Sequence, residues 1–282
     1  MTTRPTIAVT GATGFVGGHV ARALGGSGAA LRLLVRDTAR APEIRGADAF
    51  AVTFGDREAA MVALDGVQTV LMVSASESAD RLEQHLTFVD AAAAAGVEHI
   101  VYTSFFGAAP DAVFTLARDH FATEERIKAS GMGYTLLRDN FYLDFLPSLV
   151  GEDGVIRGPA GNGRFAPVAR ADVARSAVAA LTAPERHRGL TYDLTGPEAL
   201  TMSEVAEILT EHRGREVRYH DETVEEAYAS RRRWEAPDWQ YDAWVSTYTA
   251  IAAGQLDGVS GAVATLTGRE PLGLRAYLAA SE

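Results

Sequence analysis

Cysteine is missing from all 282 residues, which removes disulfides, thiolate metal centres and cysteine nucleophiles at once. Lysine is nearly as scarce: Lys128 is the only one, and every other cation is arginine. No run approaches the roughly 18 apolar residues of a membrane span. The N-terminus has no basic start followed by an apolar core and a cleavage site, because its first apolar run breaks at Gly11. A cytoplasmic protein without membrane contact is therefore expected. Excess positive charge is lacking too. The net charge of −11 repels nucleic acid, whose binding needs clustered cations. The one basic run, Arg231-Arg232-Arg233, lies between Glu225-Glu226 and Glu235 and reads as a solvated helix face. Neither a nucleic-acid partner nor a metal site is expected.

What is present is ordinary globular composition, 47% hydrophobic and 22% charged, with length enough for one large core or a core plus a lobe. Short aliphatic or β-branched runs recur at Ile7–Thr10, Leu31–Val35, Ala49–Phe54, Thr69–Val73, His99–Thr103 and Tyr134–Leu137. Helical spacing fills the intervals Phe15–Leu24, Arg57–Leu64, Ala79–Ala95 and Phe114–Ser130. Strands alternating with helices imply a parallel sheet with right-handed crossovers, and continuous apolar strands imply a sheet covered on both faces. The expected fold is α/β, a doubly wound parallel Rossmann sheet with a smaller, mostly helical C-terminal lobe. Residues 1–150 form the dinucleotide-binding domain in this reading. A segment about 164–195 returns to it, and 196–282 mainly cover the substrate. Gly151–Gly163 reads as turns, a helix follows with Asp172 in its first turn, and "GLTYDLTG" and "REVRYH" read as strands. The helix between them is capped by Thr201 or Ser203 and ended by Gly214. Glu222–Gly254 reads as helical with a break at Pro237, and Pro271–Ala280 as a last helix.

The first of these junctions carries chemistry. Gly11-Ala12-Thr13-Gly14-Phe15-Val16-Gly17 follows a strand and opens a helix, the context a phosphate-binding glycine loop requires. Gly11 permits the tight turn, Gly14 lets the backbone approach a diphosphate, and Gly17 allows close helix–sheet packing. The unpaired amides of the helix start then face the anion. At the end of the second strand, "LLVRD" offers Arg36 as a bidentate partner for a ribose 2′-phosphate or Asp37 as an acceptor for ribose hydroxyls. NADP(H) is preferred on this reading, with NAD(H) possible. Asp56 either reads the adenine amino group or caps the following helix.

The tyrosine–lysine pair of short-chain dehydrogenases is missing. In those enzymes a lysine four residues after a tyrosine lowers the phenol pKa for proton transfer. Four residues before Lys128 stands Glu124. The same stretch sets His120 and Glu124 four apart on one helix face. Glu124 there either makes His120 a proton donor near neutral pH, with His120 as the candidate catalytic residue, or the pair shapes the pocket or holds a loop.

"VTGATGFVG", "LLVRD", "FGD", "VYTSFFGA", "HFATEE" and "YTLLRDNFYLDFL" occur in this order. Together they resemble the NmrA-like, atypical short-chain dehydrogenase family, nearest the bacterial NADPH:quinone oxidoreductases and triphenylmethane dye reductases. The resemblance implies a Rossmann domain binding NADP(H), with Gly11, Thr13, Gly14, Phe15, Val16 and Gly17 around the diphosphate and Arg36 at the 2′-phosphate. It implies Ser74 and Ser76 beside the nicotinamide ribose and Thr103-Ser104 in the loop after the fifth strand. Asn140, Phe141 and Tyr142 match a segment that walls the substrate pocket. Aromatic faces suit a flat acceptor, which adds Phe105 and Phe106 to the candidate walls.

Quinones and cationic dyes need less acid help than carbonyls, so hydride transfer to a planar organic substrate survives the loss of the pair. The other reading is an NADP(H)-binding redox sensor with little or no catalysis. The chain is expected to be a monomer or homodimer.

Overall fold

A computed structural model describes residues 6–26 and 28–280. The strands are β1 (Thr6–Thr10), β2 (Ala30–Val35), β3 (Ala47–Ala51), β4 (Thr69–Met72), β5 (His99–Phe105), β6 (Gly133–Asp139), β7 (Val155–Gly158), β8 (Leu190–Leu194) and β9 (Arg218–Asp221). The helices are α1 (Phe15–Leu24), α2 (Arg57–Leu64), α3 (Arg81–Ala94), α4 (Thr115–Ala129), α5 (Arg170–Thr182), α6 (Pro184–His187), α7 (Met202–Arg213), α8 (Val224–Arg231), α9 (Asp238–Ala252), α10 (Ala262–Thr267) and α11 (Leu274–Ala279). A seven-stranded sheet runs β3-β2-β1-β4-β5-β6-β8, and β1 pairs in parallel with β2 and β4, β2 with β3, and β4 with β5. The order reverses beside β1, where the chain crosses from β3 to β4. In open α/β sheets that switch point is where ligands bind.

The central strands form where the sequence is apolar on both faces. All four residues of β4 are buried, as a sheet covered on both sides demands. Helix α1 buries Val16, Gly17, Val20, Ala21 and Leu24, a stripe at helical spacing. Strand β3 ends at Ala51, short of the expected Phe54. The chain turns there, with Asp56 N donating to Thr53 O and the Asp56 carboxylate capping α2. Strands β5 and β6 both run two residues beyond their apolar runs, to Phe105 and Asp139.

The chain divides into two compact units. The first comprises Met1–Ser104, Asp119–Arg138 and Ala171–Tyr192. The second comprises Phe105–Arg118, Asp139–Arg170 and Asp193–Glu282. A core of Val70, Met72, Phe88, Ile100, Tyr102, Ile127 and Leu136 lies in the first. Another, of Leu143, Leu146, Phe165, Met202, Val205, Leu209 and Ile251, lies in the second. In the second unit Thr201 caps α7 in a reciprocal capping box with Glu204, and Gly214 ends that helix with φ 63°. The stretch expected as turns contains β7, which pairs in parallel with β9. Of the expected terminal helix, only α11 forms.

Candidate functional site

The glycine loop takes the conformation its sequence demands. Gly11 has φ +62°, which only glycine adopts without strain, and Gly14 N donates to Gly11 O at 2.9 Å. A Cβ on Gly17 would lie 2.4 Å from Gly11 O and 2.6 Å from Thr10 O, closer than any side chain tolerates. Helix α1 starts at the Gly14 cap with no side-chain hydrogen bond and no acidic residue in its first turn. Thr13, Gly14 and Phe15 are exposed, while Val16 and Gly17 are buried. A loop in which the Gly17 close approach forbids a side chain, followed by a helix with no side-chain cap and no acidic residue in its first turn, fits a dinucleotide diphosphate.

Arg36 stands exposed directly after β2. Asp37 is engaged locally, accepting from Ala39 N at 3.0 Å. Asp56 caps α2 by accepting from Ala59 N at 3.0 Å.

The loop after β4 is held from three sides. Val73 N donates to Thr10 Oγ1 at 2.8 Å, Ser74 N to Thr103 Oγ1 at 2.9 Å and Ala75 N to His85 Nε2 at 2.9 Å. Three consecutive amides are thus taken by side chains from β1, β5 and α3, and Arg81 Nε donates to Ala75 O at 3.1 Å. Ser74 is half-buried and Ser76 exposed at this edge.

Beneath that loop lies a buried polar network that sequence reading missed. The amide of Ala75 occupies His85 Nε2, so the ring proton sits on Nδ1, 3.1 Å from Thr123 Oγ1. Arg81 Nη2 donates to His120 Nε2 at 2.9 Å, so His120 carries its proton on Nδ1, 2.9 Å from Tyr102 Oη. Asp119 pairs with Arg81 at 3.2 Å. Burial, reinforced by the Arg81 charge, lowers the His85 pKa to about 3. Burial, Arg81 and His85 push His120 well below its ordinary value.

This corrects the expectation that Glu124 makes His120 a proton donor. The Glu124 carboxylate instead accepts from Arg138 Nε at 2.8 Å and Nη2 at 2.6 Å, and from Ser104 Oγ at 2.5 Å. His120, facing a guanidinium in a dry site, is held neutral. The signal for the network was the Arg81–His85 spacing on one helix face, which becomes meaningful only once α3 and α4 are known to pack on β5.

The aromatic candidates gather in the second unit. Phe105, Phe106 and Phe141 pack against its core. Phe105 meets Phe114 with ring centres 4.8 Å apart, and Phe141 meets Phe165 at 5.8 Å. Asn140 is buried, its amide nitrogen donating to Leu256 O at 3.0 Å and its oxygen accepting from Phe141 N at 2.7 Å. Tyr142 is half-buried, and its hydroxyl donates to Asp139 Oδ2 at 2.8 Å. Among the described residues no group of three or more His, Asp or Glu could hold a metal ion, and no helix is long and apolar enough to cross a membrane.

Known proteins resemble this chain in sequence and fold. Quinone oxidoreductase 2 of Escherichia coli K12 is 34% identical over 269 residues, covering 93% of each chain. The crystal structure of NADPH-dependent quinone oxidoreductase from Escherichia coli complexed with NADPH superposes with a TM-score of 0.89 at 32% identity, covering 98% of this chain and 99% of that one. The NADP(H) complex of Citrobacter triphenylmethane reductase gives 0.86 at 30%, covering 98% and 100%. Since residues 3–232 also match the NmrA-like family, and with them the glycine loop, the Arg36 junction and the loop after β4, the chain belongs to the NmrA-like family.

Proposed function

We propose that this protein is an oxidoreductase that uses NADPH to reduce a quinone-like or otherwise conjugated planar acceptor, without a tyrosine–lysine pair. The observation that carries the reading is the glycine cradle at the switch point. Gly11 holds φ +62° and Gly17 admits no side chain, and α1 starts at Gly14 without a side-chain cap. The related quinone and triphenylmethane reductases, both known with a nicotinamide dinucleotide, support it.

In this reading the first unit binds the cofactor. Gly11, Thr13, Gly14, Phe15, Val16 and Gly17 surround the diphosphate. Arg36 takes the 2′-phosphate through a bidentate fork. Asp37 is already committed to its own turn, which favours NADP(H) over NAD(H). Ser74 and Ser76 border the nicotinamide ribose; Thr103 and Ser104, expected in the loop after the fifth strand, lie buried within β5 and act from behind, Thr103 with Thr10 and His85 hydrogen-bonding the loop after β4. When bound, NADPH supplies a hydride.

The chain's own work is to orient, to exclude water and to hold a flat acceptor. Phe105, Phe106, Asn140, Phe141 and Tyr142 are the proposed surroundings of the acceptor. Asn140 acts there through its backbone grip, and the phenylalanines set the shape. His120, neutral with both ring nitrogens engaged, holds the cofactor-side network rather than giving up a proton.

The test is oxidation of NADPH by the purified protein against a panel of quinones, followed by loss of the reduced-nicotinamide absorbance. Turnover of at least one quinone is expected. Tight NADP(H) binding with no turnover on any acceptor would replace this reading with that of a redox sensor. No affinity for either nicotinamide dinucleotide would end both.

A further inference from the structure

Strand β4 ends at Met72, yet the chain beyond it does not loosen. The amides of Val73, Ser74 and Ala75 donate to side chains instead of to a neighbouring strand. Ala75 is gripped twice. Its N–H donates to His85 Nε2 at 2.9 Å, and its carbonyl accepts from Arg81 Nε at 3.1 Å. Arg81 and His85 stand four apart in α3, both buried, on one face of the helix. A single helical turn thus holds both backbone polar atoms of one loop residue. That residue lies between Ser74, which is half-buried, and Ser76, which is exposed.

Helix α4 braces this clamp. Arg81 Nη1 donates to Asp119 Oδ2 at 3.2 Å and Nη2 to His120 Nε2 at 2.9 Å. His85 Nδ1 lies 3.1 Å from Thr123 Oγ1, which itself donates to Asp119 O at 2.7 Å. All of these residues belong to the first unit. The Arg81 side chain is 4% exposed, and each of its three nitrogens reaches a different acceptor. Only a guanidinium offers donors in so broad a fixed fork; a lysine ammonium is a single point. Enclosed and committed in this way, Arg81 acts on a ligand only through Ala75.

We propose that Arg81 is a positioning residue for the nicotinamide half of the dinucleotide: with His85 it fixes the loop after β4 before the cofactor arrives. The inference rests on the reading above, in which Ser74 and Ser76 border the nicotinamide ribose. A loop ordered in advance costs nothing to order on binding, whereas a loose one weakens affinity by the entropy it must lose. Without the guanidinium, Ala75 O loses its partner and the brace to Asp119 and His120 is gone. Order in the loop would then have to come from the ligand. The adenosine half, held in this reading by the glycine loop and Arg36, is indifferent to Arg81. This gives Arg81 a signature that a general loss of stability lacks, because one half of the cofactor is affected and the other is not.

Calorimetric dissociation constants for NADP+ and for adenosine 2′,5′-bisphosphate, which lacks the nicotinamide riboside, separate the two halves. With R81M the NADP+ constant should rise about tenfold or more, the order set by one or two residues that binding must now fix. The bisphosphate constant should stay that of wild type. R36A, in contrast, should weaken both ligands alike. R81K keeps the charge but cannot span three acceptors, so it should resemble R81M, and it carries the test if the methionine variant does not fold. In wild type without ligand, the Ser74 and Ala75 amides should exchange with deuterium as slowly as those of β4. In the Arg81 variants they should exchange faster, with β4 unchanged. Fast exchange at these amides in wild type would overturn the clamp without any substitution. Equal weakening of both ligands, or of neither, would overturn the role of Arg81 and leave the reductase reading standing. A wild-type chain that binds neither ligand would overturn the two together.

Discussion

Gly17 carries a hydrogen where any other residue would place a carbon 2.4 Å from Gly11 O. Backbone cannot yield there as a flexible side chain can, so G17A should abolish nicotinamide dinucleotide binding, read by quenching or calorimetry, and lower the melting temperature as well. Arg36 is different in kind. It is exposed and builds nothing in the fold, so R36A should leave stability alone. It should raise KM for NADPH about tenfold or more, the worth of one charge-assisted pair, while KM for NADH changes little. Equal losses with both cofactors would remove Arg36 from the 2′-phosphate. Gly17 was legible from residue identity alone, because a glycine at a close approach has few physical uses. Asp139 was not legible. Its neighbour Arg138 reaches Glu124 and Asp139 turns to Tyr142, a division that strand alternation allows but that only packing makes consequential.

Elements came through more clearly than their ends. Helix α1, α2 and the cap of α7 stand where spacing and capping residues put them, since these signals are local. The α7 capping box places Thr201 Oγ1 3.1 Å from Glu204 N and Glu204 Oε2 2.8 Å from Thr201 N. T201A should therefore cost about 1 kcal/mol and lower the melting temperature by a few degrees, with NADPH KM unchanged. Strand β7 escaped sequence reading because its four residues, Val155–Gly158, sit among glycines and take extended form only by pairing with β9. The loop after β4 is likewise an element made by its neighbours: its amides answer to Thr10, Thr103 and His85. Replacing His85 with glutamine keeps an acceptor for Ala75 N. Replacing it with leucine does not, so H85L should raise NADPH KM more than H85Q does.

At the scale of the molecule, buried neutral histidines make stability depend on pH. The unfolded chain protonates His85 near 6.5, whereas in the fold its pKa falls to about 3. Below pH 6.5 the unfolded state binds the extra proton, so the stability present at neutral pH is lost as pH falls through the interval between the two values. His120, also pushed down, acts in the same direction. The His85 contribution should reach about 3 kcal/mol near pH 4.5. Melting temperatures across that interval should fall more steeply for wild type than for H85Q, whose replacement side chain does not titrate. Parallel curves would show that His85 protonates freely in the fold.

The sequence alone determined the alternation of strands and helices, the glycine cradle and the absence of a tyrosine four residues before Lys128, because each depends on residues close together in the chain. Tertiary structure decided what the polar residues do. His120 looked like Glu124's partner from one helix face, yet folding brings Arg138 to Glu124 and Arg81 to His120. A titratable group takes its character from the charges and dry surroundings that meet it in space, and those arrive from segments that no local pattern connects.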